Sequence, residues 1–221
     1  MNFMITVLVI IFCIIGLLAY GLIVMASPTK GKKVEPYENP KKALLVIDVQ
    51  EDFTGKTAKS PYKDSERLIA AVNSVIEGAA GKKIEIVYIR NEFENFVAKM
   101  ISKLLFKGAT IKGDPGTRID ERIKIKSELS FFKRNADAFS NQELDAFLPA
   151  NGVDELYLVG LDAAGCVDRT AKGALNRGYK VSIITDAVIT RYEKKWDSIL
   201  KQWEQIGIAL ITVKEFLKLD E

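Results

Sequence analysis

The chain opens with an unbroken apolar block and continues as short apolar runs separated by amphipathic stretches. Residues 3–26 contain no charged side chain. At 1.5 Å of rise per residue they make a helix of roughly 36 Å, enough to cross a hydrocarbon core of about 30 Å with some tilt. The pattern predicts one transmembrane helix within residues 1–26. The competing reading is a signal peptide cleaved before Ser27, where Val24, Met25 and Ala26 form a small-residue site. An apolar run about twice the usual signal core, with no Lys or Arg ahead of it, favours the anchor.

Residues 27–41 (SPTKGKKVEPYENPK) are rich in Pro, Gly and Lys and predict a solvated tether leading into a folded domain, 42–221. In that domain, apolar runs at 43–49, 84–89, 156–159, 181–185 and 208–212 are mostly continuous rather than alternating. Such strands are covered on both faces. A further run at 123–125 leads towards Phe131 and Phe132. Between the runs lie helical periodicities over 65–81, 91–107, 141–148, 166–177 and 193–206, the first with Leu68, Ile69, Val72, Val75 and Ile76 on one face. Strand and helix alternating at this spacing predict an open, mostly parallel α/β sheet with helices on both faces.

Charge then narrows the function. The 32 Lys+Arg and 29 Asp+Glu are interspersed and the net charge is only +3. No basic stripe tracks a phosphate backbone, so nucleic acid is excluded as a partner. The chain has no histidine, which removes imidazole-based triads and histidine-ligated metal sites. Of its two cysteines, Cys13 lies in the apolar block, so no disulfide framework exists and Cys166 stands alone in the polar domain.

Ligands of parallel sheets sit beyond the carboxyl ends of the strands, and three reactive side chains stand there. Asp48 ends the first apolar run in VIDVQEDF, Lys133 follows the Phe pair in FFKRNADAF, and Cys166 follows the fourth run in LVGLDAAGCVDRT. Cys166 comes after a Gly and opens a helix, where free N–H groups and the dipole favour a thiolate; a nearby ammonium would lower its pKa further. Asp48 is the candidate proton acceptor that histidine supplies elsewhere.

In order and separation, LLVIDVQEDF, KRNADAF and GLDAAGCVDRTAKGALNRGYKV resemble the three motif regions of the isochorismatase-like cysteine hydrolase superfamily, which includes nicotinamidases and N-carbamoyl-amidohydrolases. The resemblance spans about residues 42–212. It implies a six-stranded parallel sheet in a three-layer, Rossmann-like arrangement and an Asp-Lys-Cys triad falling on Asp48, Lys133 and Cys166. It further implies a non-proline cis peptide at Leu161–Asp162, backbone N–H groups including that of Cys166 around an oxyanion, and cleavage of a C–N bond in a small amide, imide or carbamoyl substrate. Phe53, Leu161, Asp162 and Asp137 are the residues it places around substrate and oxyanion.

Departures from the pattern shape the expectation. Related nicotinamidases hold a metal through an Asp and two His, for which this chain has no counterpart, so no metal or other cofactor is expected. Asp137 stands where Ser is common, and Asp162 and Ala164 replace the usual Ala/Thr and Asp. The two extra carboxylates either recognise a cationic substrate or simply cap local backbone. The helical stretch 91–107 is expected to pack as a lid or in a homo-oligomer interface; a wide apolar face bordered by Lys99, Lys103 and Lys107 also suits anionic lipid. Finally, Lys30, Lys32, Lys33, Lys41 and Lys42 just after the span place the domain on the cytoplasmic side of a single-pass protein.

Overall fold

In the computed structural model, which describes residues 3–219, the apolar block is one helix, α1 (Phe3–Ala26), largely exposed and joined to the domain at its last turn, where Ala136 N donates to Met25 O. The domain boundaries read from the sequence also include residues 1–2 and 220–221, which lie outside the described part. The domain is built from β1 (Lys41–Ile47), α2 (Glu51–Thr54), α3 (Ser65–Gly81), β2 (Glu85–Asn91), α4 (Phe96–Leu105), β3 (Ser130–Lys133), α5 (Gln142–Ala150), β4 (Val153–Leu161), α6 (Cys166–Asn176), β5 (Lys180–Ile189), α7 (Trp196–Gln205), β6 (Ala209–Ile211) and α8 (Val213–Leu217). The strands form one six-stranded parallel sheet in the order β3-β2-β1-β4-β5-β6.

Continuous apolar strands need cover on both sides, and the helices supply it. Ala43, Leu45 and Ile47 of β1 point to the layer of α5, α6 and α7, where Leu144, Leu148, Val167, Ala171 and Trp203 are buried. Leu44 and Val46 point the other way, onto Leu68, Val72, Val75, Ile76 and Phe216 of α3 and α8. The period of two along the strand thus feeds two separate cores. Because β4 returns beside β1 rather than beside β3, the strand order reverses between them and opens a crevice at their carboxyl ends. Gly160 draws β4 in at that point. It sits at φ +114°, and a Cβ there would lie 2.0 Å from the Ile47 carbonyl oxygen, so only glycine allows the approach.

Three expectations change. Residues 123–125 are coil, because their backbone is taken by side chains: Asn73 accepts from Lys124 N (2.8 Å), and the Tyr88 hydroxyl donates to Lys124 O (2.9 Å). Pairing with β2 begins at Ser130, opposite Tyr88. The helix sought at 91–107 is confined to α4, since Asn91 still belongs to β2 and Asn95 caps the helix by accepting from Ala98 N at 2.8 Å.

The segment after α1 is no solvated tether. Thr29 donates through N and Oγ1 to Asp137 (both 2.7 Å), and its carbonyl accepts from Asn176 (2.8 Å). Val34 N bonds to Arg177 O at 2.8 Å, and Tyr37 donates to Pro149 O at 2.9 Å. Composition marked this strap as polar; what orders it is a set of buried and half-buried partners more than a hundred residues away in sequence.

Candidate active site

Asp48 directly follows β1 with φ 55°, a left-handed conformation that Asp tolerates better than most residues, and its N–H bonds to Ile89 O at 2.9 Å. The turn sends its carboxylate into the crevice, where it is 2 % exposed. Lys133 is the last residue of β3 and is 1 % exposed. Cys166 is the first residue of α6. The three converge: Lys133 Nζ lies 2.9 Å from Asp48 Oδ2 and donates to Cys166 Sγ at 3.1 Å, with Asn135 O at 3.3 Å.

Burial dominates their electrostatics. It raises the Asp48 carboxyl above the usual range, against the pull of Lys133. Burial pulls the Lys133 ammonium down, but the charge of Asp48 and the hydrogen bonds to Asp48 and Cys166 outweigh it, so the amine stays protonated. The Cys166 thiol is pushed up to about 12 by burial and then by Asp48, with Lys133 opposing. This corrects the expectation of a depressed thiol. The ammonium is in place, but Asp48 already neutralises it, so in the resting site the sulfur keeps its proton. Asp48 Oδ1 is buried and accepts no hydrogen bond among the described residues. A buried carboxylate oxygen left open is an acceptor waiting for a proton or a donor.

The Leu161–Asp162 peptide is cis. Leu161 sends its side chain into the core beneath the sheet. The Asp162 carboxylate accepts from Ala164 N (2.7 Å), Thr190 Oγ1 (3.0 Å) and Arg191 N (2.8 Å), while its carbonyl accepts from Gly165 N and Val167 N. It therefore braces the turn that delivers Cys166. The N–H of Cys166 itself, at the first helical position, is one of those a helix leaves without an internal partner.

Asp137 lies farther along α6, beside Gly173. It is fully buried, caps a short turn by accepting from Phe139 N (2.9 Å) and holds Thr29 of the strap. Phe53 is mostly buried and meets Tyr62 edge to face, with centroids 6.0 Å apart. Tyr62 was not flagged by any motif, yet burial and the Asp162 charge push its phenol up, with Arg191 opposing. The Arg191 guanidinium stacks 3.7 Å over its ring and donates to Pro61 O at 3.0 Å. Tyr62 and Arg191 thus wall the site from loops that carry no periodic signal. Among the described residues no three Asp, Glu or Cys side chains converge as metal ligands, and the chain has no histidine.

Residues 42–215 match the model of the isochorismatase domain family. An Arabidopsis thaliana protein described as a probable inactive nicotinamidase is 25 % identical over 189 residues, covering 79 % of this chain and 93 % of its own length. An N-carbamoylsarcosine amidase from Arthrobacter is 28 % identical over 156 residues, covering 66 % of this chain and 58 % of the relative. The crystal structure of an isochorismatase-like hydrolase from Alkaliphilus metalliredigens superimposes with a TM-score of 0.72 at 24 % identity, over 82 % of this chain and 99 % of that one.

Proposed function

From the premise that this chain belongs to the isochorismatase family of hydrolases, we propose that it is a cysteine hydrolase cleaving a C–N bond of a small amide, imide or carbamoyl compound while held at a membrane by α1. One observation carries the reading: the buried Lys133 ammonium touches both Asp48 and Cys166 beside an open carboxylate oxygen. As Cys166 Sγ bonds to the substrate carbon, its proton passes to Asp48 Oδ1. The negative charge on the carbonyl oxygen faces the N–H of Cys166 at the start of α6. Asp48 then protonates the nitrogen, the C–N bond breaks and an amine leaves. Water attacks the resulting thioester, giving its proton to Asp48, and the C–S bond breaks as the thiol is restored. Lys133 keeps a positive charge opposite whichever partner is anionic. The amidase activity named for the Arthrobacter relative is of this reaction class.

Hydrolysis is tested by screening small amides, ureides and carbamoyl compounds with the full chain in detergent, using Cys166→Ala as the blank. A second reading is a catalytically idle, membrane-tethered binding module, favoured by the high pKa of Cys166 and the inactive description of the Arabidopsis relative. Binding of a screened compound without turnover would establish it.

The anchored reading rests on the length and composition of α1, and the cytoplasmic side on the lysines that follow it. Protease should spare the domain in spheroplasts and digest it in inverted vesicles. A mature chain beginning at Ser27 would overturn the anchor.

A further inference from the structure

α4 carries an apolar stripe that the described part of the domain leaves largely exposed. Phe96 is 78 % exposed and Leu104 76 %, with Met100 and Val97 completing the stripe. Ala98, Ile101 and Ser102 occupy the opposite side and are buried against the domain. Lys99 and Lys103 run along one border of the stripe and Lys107 follows just beyond it. What lies near α4 is the end of α1. Ala136 N donates to Met25 O in the last turn of α1 (2.9 Å), and Arg134 pairs with Glu94, next to the α4 cap Asn95 (3.3 Å). One three-residue loop, starting directly after Lys133, therefore holds both the end of α1 and the start of α4.

We propose that α4 lies on the anionic surface of the bilayer that α1 enters, its stripe among the lipid headgroups and its lysines on their phosphates, so that the crevice holding Lys133, at the end of β3, and Cys166, at the start of α6, opens beside the lipid. The proposal rests on the membrane-anchor reading of α1. An amphipathic helix with a basic border binds such a surface through buried apolar area and attraction to anionic lipid, and tethering by α1 makes that binding intramolecular. The exposed stripe faces away from the domain, so a lid formed by the opposite face of α4 would leave it free for lipid.

The test uses the full chain, with single cysteines at Leu104→Cys or Val9→Cys in a Cys13→Ser, Cys166→Ala background. Each is labelled with an environment-sensitive dye and reconstituted in vesicles of phosphatidylcholine with or without phosphatidylglycerol. Residue 9 reports insertion of α1, and residue 104 reports contact of α4. The expected result is quenching of both labels by bromine-bearing lipid, with quenching at 104 reduced several-fold in pure phosphatidylcholine or by Lys99→Glu with Lys103→Glu. Quenching at 9 but not at 104 overturns the proposal and leaves the anchor standing. Quenching at neither overturns both. Crosslinking of two copies through residue 104, without lipid quenching, assigns the stripe to a second copy and also overturns it. Phe96→Cys is the second label position if the first variant fails to fold.

Discussion

Two buried polar clusters sit at opposite ends of α6 and differ in one respect. Beyond its carboxyl end, Arg177 clasps Asp145 with two hydrogen bonds (2.6 and 2.8 Å) and gives its third nitrogen to Thr29 Oγ1 and Gly173 O (both 3.0 Å). Nearby, Asp137 fills both oxygens with Thr29 and Phe139. At the amino end, Asp48, Lys133 and Cys166 combine the same kinds of charge, but one carboxylate oxygen is left open and the sulfur holds a removable proton. A saturated cluster fastens chain; an unsaturated one retains something to give to a substrate.

The comparison breaks most sharply at the sulfur. Cys166→Ala should abolish amide hydrolysis, by about 10³-fold or more, with the melting temperature nearly unchanged; Asp48→Asn and Lys133→Met should each lose most of the activity. The losses should not multiply, since the three act as a unit. A double variant whose deficit equals the product of the two single deficits would dissolve the triad.

The other end should respond in stability. Asp137→Ala leaves Thr29 and Phe139 donors unpaired and should cost about 1–3 kcal/mol. Gly173→Ala places a Cβ 2.1 Å from Asp137 Oδ2 and should cost a similar amount, roughly 1–3 kcal/mol. Both should loosen the strap and speed trypsin cleavage after Lys30, Lys32 and Lys33, whose side chains are already exposed, while the alkylation rate of Cys166 stays as it was. If alkylation shifts in step with proteolysis, the two clusters are one system.

A finer effect concerns the thiol proton. With the Cys166 pKa up to about 12, iodoacetamide alkylation should keep rising beyond pH 9, where an ordinary thiol of pKa about 8.5 has nearly levelled. Asp48→Asn removes the negative charge that raises the thiol and leaves the Lys133 ammonium, so the pKa should fall and the plateau move to lower pH. Identical profiles in the two proteins would show that Asp48 does not act on the sulfur. The smallest expected effect is none at all: exhaustive dialysis against EDTA should leave activity intact, and loss reversed by zinc or manganese would point to an all-carboxylate metal site.

How far the site was legible follows from where each signal lies. Asp48 and Lys133 could be picked out because strand ends are recognisable from apolar runs, and Cys166 because a helix begins at it. Tyr62 and Arg191 were invisible, since neither belongs to a periodic element and they meet only through the fold. Asp137 and Asp162 were visible but ambiguous. A carboxylate near a motif reads the same whether it faces a substrate or a backbone N–H, and only the hydrogen bonds from Thr29, Phe139, Ala164 and Arg191 separate the cases.

The amino-acid pattern by itself determined the alternation of strands and helices, the parallel sheet, the apolar helix at the start and the chain positions of the three reactive side chains, because each follows from local periodicity and the few ways such elements connect. Tertiary structure alone decided that 27–37 is a docked strap and that β3 begins at Ser130. It also decided that the thiol keeps its proton and that the α4 stripe stays largely exposed. These outcomes depend on burial and on partners as remote as Thr29 and Asp137, 108 residues apart. A pKa or a hydrogen bond belongs to an environment assembled by folding, and no window of neighbouring residues contains it.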